Sequence, residues 1–280
     1  LGQEPKRHHV IPQMILRRFA DADGFLWFFN KRRNPPCIAR AKPERLFVHN
    51  HVYSHIRDDG TRDASLEKDL AQIEGTIAPL LERLVKSARN LTNPNLTSQE
   101  HDLWDLFFYI QWKRLPQVYG EIIGDVREPI DMLISQLEDA GRVLTREERA
   151  ALTDPAWLET IRHNTLVDTV RSHDKEVMDV MRTTSFVLSV IADDSESFVI
   201  GSSPIVPHQQ DGSRELLMPI AHDVAIGLGG SGRDRVTVRK LTNADTIRRL
   251  NTGICDQSNL VAGRSARLLC SLTGVSVDRS

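Results

Sequence analysis

Between Leu66 and Val85 the apolar residues fall at positions 66, 70, 73, 77, 80, 81 and 84, which is the stripe of an amphipathic helix. Pro79 lies inside that stripe and is expected to kink the helix or split it in two. Projected at about 100° per residue, Glu67 and Glu74 fall on the margin of the apolar face, two turns apart. A second stripe follows a cap at Thr97 or Ser98 and contains Trp104, Phe107, Ile110, Leu115 and Val118. Gln111 and Arg114 lie in the middle of that apolar face. A guanidinium there needs a carboxylate, a carbonyl or a ligand, because a buried charge without a partner is costly. Glu67 or Glu74, on a preceding antiparallel helix, is expected to supply it.

The amino-terminal part alternates instead. Phe25 to Asn30 reads as a strand, Asn34-Pro35-Pro36 as a turn, and Cys37 to Ala41 as the returning strand of a hairpin. His49, His51 and His55 would share one face of an extended segment, where a histidine-rich surface strand is a better reading than a metal site. Helices are expected around 121–140, 146–152 and 155–183. Thr184 to Ala192 should then form a hairpin with the segment from Ser197 to Ser202. Short strands follow at 216–219, 224–228 and 235–241, with a glycine-rich turn at 229–232. A helix at 244–254 and a last strand within 263–272 complete the chain. This order predicts an α+β fold in one domain: a small β region (1–60), a helical centre (61–183) and a β-rich end (184–280) whose strands share one sheet.

Composition changes the picture in one respect. A net charge of −2 over 280 residues hides an uneven distribution. Residues 1–46 carry ten Lys/Arg against four Asp/Glu, whereas residues 125–196 carry eight against sixteen. A basic end on an acidic body suits an anionic ligand, and nucleic acid is the expected partner. Cys37, Cys255 and Cys270 are odd in number and lack CxxC spacing, which points to a reducing cytoplasm without a disulfide framework. No charged-then-apolar leader and no run of eighteen apolar residues is visible, so a membrane partner is not expected.

The candidate chemistry begins at Lys6-Arg7-His8-His9, followed by Pro12 and a short helical pattern in Ile15, Leu16 and Phe19. Paired imidazoles at a helix entrance, with Arg17 and Arg18 close by, suit metal or phosphate chemistry. The run from His8 to Pro12 is similar to the start of finger-type nucleases, in which a paired His-His precedes Ile-x-Pro. There, one of the pair binds a divalent metal and a histidine activates water. The asparagine and the final histidine of that signature have no counterpart here.

A wider likeness spans most of the chain. His8-His9-Val-Ile-Pro-Gln, Leu16 to Phe19 and Phe25 to Lys31 resemble the opening of the bacterial family catalogued as domain of unknown function 4238. The resemblance continues through Ser65-Leu66-Glu67 to Glu74, Tyr109-Ile-Gln111-Trp-Lys-Arg114-Leu-Pro116 and Phe198 to Pro204, and fades after Asn251. Where that family has a Ser-Asp-Asn-Pro turn, this chain has Ser202-Ser203-Pro204 without the aspartate. The resemblance implies a list of positions and suggests a nuclease of a bacterial conflict or defence system.

Together the residues predict one composite site. His8, His9, Glu67, Gln111 and Arg114 are its expected catalytic groups. Arg17, Arg18 and Ser203 would bind substrate, and His8, His9, Glu67 and Glu74 would hold a divalent metal ion. Phosphodiester cleavage is the expected reaction. The alternative is a non-catalytic module that binds nucleic acid, a nucleotide or a protein.

Overall fold

A computed structural model describes residues 7–116, 118, 126–210, 213–229 and 236–277. The fold is α+β, with 47% helix and 21% strand. A short strand β1 (Arg7–His9) enters a one-turn helix α1 (Gln13–Leu16) whose Ile15 and Leu16 are buried. The expected hairpin forms as β2 (Leu26–Asn30) and β3 (Ile38–Ala41). The histidine segment is not one strand. β4 (Val48–Asn50) pairs antiparallel with β1, setting His8 opposite His49. The chain then turns at His51 and starts the ribbon β5 (His55–Ile56) and β6 (Arg62–Asp63). Phe47 and His51 have φ of 55° and 56°, left-handed values that a side chain disfavours, so the three histidines cannot share one strand face.

The first amphipathic stripe is helix α2 (Ser65–Arg89), which runs unbroken through Pro79. Pro79 and Gly75, whose carbonyl the missing N–H would have met, are both exposed, so that carbonyl can be hydrated and the helix continues. Helix α3 (Ser98–Lys113) opens on a capping box between Thr97 and Glu100. It lies antiparallel to α2, as shown by Arg114–Glu74 at one end (3.2 Å) and Arg83–Glu100 at the other (2.6 Å). Helices α4 (Arg127–Asp139) and α5 (Arg146–Leu152) follow. The expected start of α4 near 121 falls outside the described residues. The long helix expected over 155–183 is two: α6 (Pro155–Arg171) and α7 (Lys175–Arg182), with Asp174 capping the second by accepting from Val177 N–H. Lys113, buried, bridges the break by donating to the carbonyls of Thr169, Val170 and Ser172.

The carboxy-terminal strands divide between two sheets, contrary to expectation. β7 (Phe186–Ile191) pairs antiparallel with β11 (Val224–Gly229) and parallel with β12 (Val236–Leu241). β10 (Ser213–Pro219) and β9 (Val206–Gln210) complete a sheet ordered β12-β7-β11-β10-β9. Every residue of β7 is buried, as in a central strand covered on both faces. β8 (Ile200–Gly201), expected to return against β7, lies instead in a second sheet ordered β3-β2-β13-β8, where β13 is Leu260–Gly263. Residues 230–235, which hold most of the expected glycine turn and the expected start of the strand at 235, lie outside the described residues. Helix α8 (Ala244–Gln257) packs on β9, β12, β8 and β13. Ala266–Thr273, expected as strand, is helix α9, capped by Ser265 and ended at Gly274 in a left-handed conformation. One apolar core extends from Ile11 through α2, α3 and β7 to Leu269. Among the described residues no helix is long and apolar enough to cross a membrane.

Candidate functional site

The sequence-predicted residues separate into a buried cluster, a cavity wall and a remainder that joins neither. His8 on β1 points inward and is fully buried; its Nδ1 accepts the Tyr53 backbone N–H at 3.0 Å. The Tyr53 ring stacks on it at 6.0 Å, and the His51 ring meets it edge-on at 6.2 Å. Glu67 Oε2, from the first turn of α2, lies 3.8 Å from the same Nδ1, too far for a hydrogen bond. Two turns on, Glu74 accepts from Arg114 Nη1 at 3.2 Å. Arg114 is buried at the end of α3, with its guanidinium carbon 5.1 Å from the Tyr53 ring centroid. The expected buried arginine–glutamate pair is therefore present, formed with Glu74.

The hydrogen bonding of this cluster is incomplete. Arg114 Nε and Gln111 Nε2 are buried without a hydrogen-bond partner among the described residues. Burial pushes the Glu67 carboxyl up to about 7; Arg114 opposes this and the like charge of Glu74 adds to it. Burial also raises Glu74, against the pull of Arg114. Glu67 is therefore partly protonated near neutral pH.

Arg114 and Tyr53 also border an open cavity of about 650 Å³. Its wall carries Arg32 from the turn after β2, Arg45 and His49 from the segment around β4, and Asn30, Ser202 and Asn259 from the second sheet. Phe28 and Phe47 add aromatic surface. Among the described residues the lining carries Arg32, Arg45 and Arg114 and no carboxylate, a positive set of side chains. Partial desolvation in this wall, with Arg32 close by, lowers the pKa of His49 and keeps its imidazole neutral at pH 7. The strained backbone at Phe47 aims the Arg45–His49 segment; Phe47 itself is buried, and its carbonyl accepts from Val10 N–H at 2.9 Å.

The other expected residues go elsewhere. His9 alternates to the opposite side of β1, where its Nε2 is 3.3 Å from Gln13 Nε2, and burial with Arg7 lowers its pKa. The paired histidines thus point to opposite sides of β1, and His9 is not part of the cluster of His8, Glu67 and Glu74. Among the described residues no group of three or more His, Cys, Asp or Glu side chains is placed to hold a metal ion. Arg17 is held by Gln13 and Glu44 at 2.9 and 3.5 Å, and Arg18 reaches Glu82 at 3.7 Å; neither lines the cavity. Ser203 is buried, its N–H donating to Ser258 Oγ at 3.0 Å, and it is Ser202 that borders the cavity. Gly201 permits this arrangement, since a Cβ there would collide with Ser258.

Arg32, Arg45 and Asn259 do not stand out in the sequence, and His49 stands out there only as one of three histidines of a surface strand. The only signal for Arg32 and Arg45 is the local excess of Lys and Arg in residues 1–46, and Asn259 has none. A family model described as "Protein of unknown function (DUF4238)" matches residues 7–265. No curated protein and no solved structure matches the chain.

Proposed function

Because the chain belongs to the family described as Protein of unknown function (DUF4238), which brings no reaction with it, we propose from its own cavity that it binds a phosphodiester and cleaves it. The observation that carries this reading is Arg114: a buried guanidinium at the cavity wall, with one carboxylate bond and an Nε–H left without a partner among the described residues. Such a donor suits an anionic oxygen. Arg32 and Arg45 extend the positive wall, and the cavity volume falls in the range of small-ligand sites. Neutral His49 is the candidate base: it removes a proton from the attacking water as the P–O bond to the leaving oxygen breaks, and returns that proton to the leaving oxygen. The arginines offset the charge that develops on the phosphoryl oxygens. Single-stranded nucleic acid is the substrate class that suits a basic cavity with aromatic surface.

A lining whose described charged side chains are all arginines favours one second reading, binding without cleavage. The deciding assay incubates purified protein with single- and double-stranded DNA and RNA in Mg²⁺, Mn²⁺, Zn²⁺ or EDTA. Cleavage is expected, and His49→Ala should abolish it with the melting curve unchanged. Binding without cleavage under every condition would leave the second reading; neither binding nor cleavage would remove both.

A further inference from the structure

His8 Nδ1 accepts the Tyr53 N–H, so the ring carries its proton on Nε2 and its single Nδ1 lone pair is taken up by that N–H. Glu67 Oε2 lies 3.8 Å from the same nitrogen, beyond hydrogen-bond reach. An ionised carboxylate at this range is repelled by the acceptor nitrogen, and a neutral carboxyl is not. The geometry therefore gives Glu67 no donor from His8 that would hold it charged, and favours the neutral acid. The surrounding groups agree. The charge on α2 that acts on Glu67 is Glu74, of like sign; on α3 it is Arg114, already bonded to Glu74. The amino-terminal side contributes His8, with His51 edge-on behind it and Tyr53 stacked on it. Helix α6 brings Arg171 to this end of α2, where it is held by Ser65 Oγ at 2.7 Å.

One guanidinium thus bonds Glu74, lies within the electrostatic reach of Glu67 and borders the cavity. We propose that Glu67 is a protonated positioning acid: uncharged, it leaves Arg114 available to an anionic ligand, and once ionised it neutralises Arg114 and weakens the site. Burial that raises the Glu67 pKa to about 7 puts this change within the neutral range. The inference rests on the anion-binding role of the cavity proposed above.

The test is calorimetric titration with a thymidine dinucleotide, whose single phosphodiester charge does not change near neutrality. From about pH 6 to about pH 8 the affinity of the parent protein should fall roughly tenfold, a change of one unit in the logarithm for one released proton. Glu67→Gln should keep the higher affinity and lose the slope. Arg45→Ala should weaken binding at every pH with the slope intact, and His49→Gln should also keep the slope. An unchanged slope in a folded Glu67→Gln protein would overturn the proposal. If that variant does not fold, carbon-13 NMR titration of the Glu67 carboxyl in the parent protein decides. A midpoint near neutrality supports the proposal, and one in the ordinary glutamate range overturns it. If the parent binds no dinucleotide at any pH, the cavity reading falls and the proposed role with it; the NMR midpoint then reports only whether Glu67 is protonated.

Discussion

Two arginine–glutamate pairs in this molecule, each with one buried partner, differ in how fully their hydrogen bonds are met. Arg239 on β12 meets Glu215 on β10 through both terminal nitrogens, at 2.9 and 2.6 Å, and its Nε donates to Ser189 Oγ at 3.0 Å. Gly229 on β11 leaves the room that this crossing needs, since a Cβ there would come within 2.5 Å of Glu215 Cγ. Arg114 makes one bond to Glu74, leaves Nε unmatched among the described residues, and feels the charge of a second carboxyl, Glu67. The first pair joins strands; the second borders a cavity. A charge with every guanidinium nitrogen engaged belongs to the scaffold, whereas one with a nitrogen to spare beside open volume is available to a ligand.

Three measurements would break or sharpen this contrast. The largest effect is expected from Glu215→Ala, which strands Arg239 in the sheet and should cost about 3–5 kcal/mol of stability, read from denaturant unfolding. Dinucleotide affinity of the protein that remains folded should be unchanged. Arg114→Ala should cost less, about 2 kcal/mol, because Glu67 and Glu74 can take up protons when their cation is removed. It should also abolish dinucleotide binding, so comparable stability losses in the two variants, with binding retained in both, would erase the distinction.

The smallest effect is the pH dependence of folding. Glu67 holds its proton up to about pH 7, whereas an unfolded glutamate releases it near 4.5. Its contribution is therefore complete below about pH 4.5 and is lost as pH rises through about 7. Discounted for the side chain's 22% exposure, the loss is on the order of 1–2 kcal/mol. Glu67→Gln should flatten that part of the stability profile. A profile identical to that of the parent protein would mean that Glu67 titrates normally.

The helical half of the architecture was legible because periodicity records burial. The stripe from Leu66 became α2, and the polar positions Gln111 and Arg114 inside an apolar face marked a buried cluster correctly. Strand partners were less legible. Apolar alternation in 184–192 and 197–202 signals two strands, but it does not say that they belong to different sheets. Ala266 to Thr273 was misread because its apolar residues are too few to separate the two periods. At the site, adjacent histidines in sequence suggested joint action, yet a strand sends neighbours to opposite sides. The cavity wall was hidden for another reason: Arg32, His49 and Asn259 meet only through the β1–β4 and β2–β13 pairings, and the turn at Phe47 has no glycine to announce it.

Strand β13 inserts between β2 and β8, so the cavity rests on residues more than two hundred positions apart in the chain, such as Asn30 and Asn259. During synthesis the ribosome releases the basic amino-terminal hairpin long before its neighbour exists. Until the segment 260–263 has emerged and paired, the wall that contains Ser202 and Asn259 has no fixed place, and such long-range pairing is slow compared with helix formation. A nascent chain therefore carries the positive residues but not the pocket. A protein that cuts or grips nucleic acid would in this way be kept inert beside the messenger and ribosomal RNA from which it is being made.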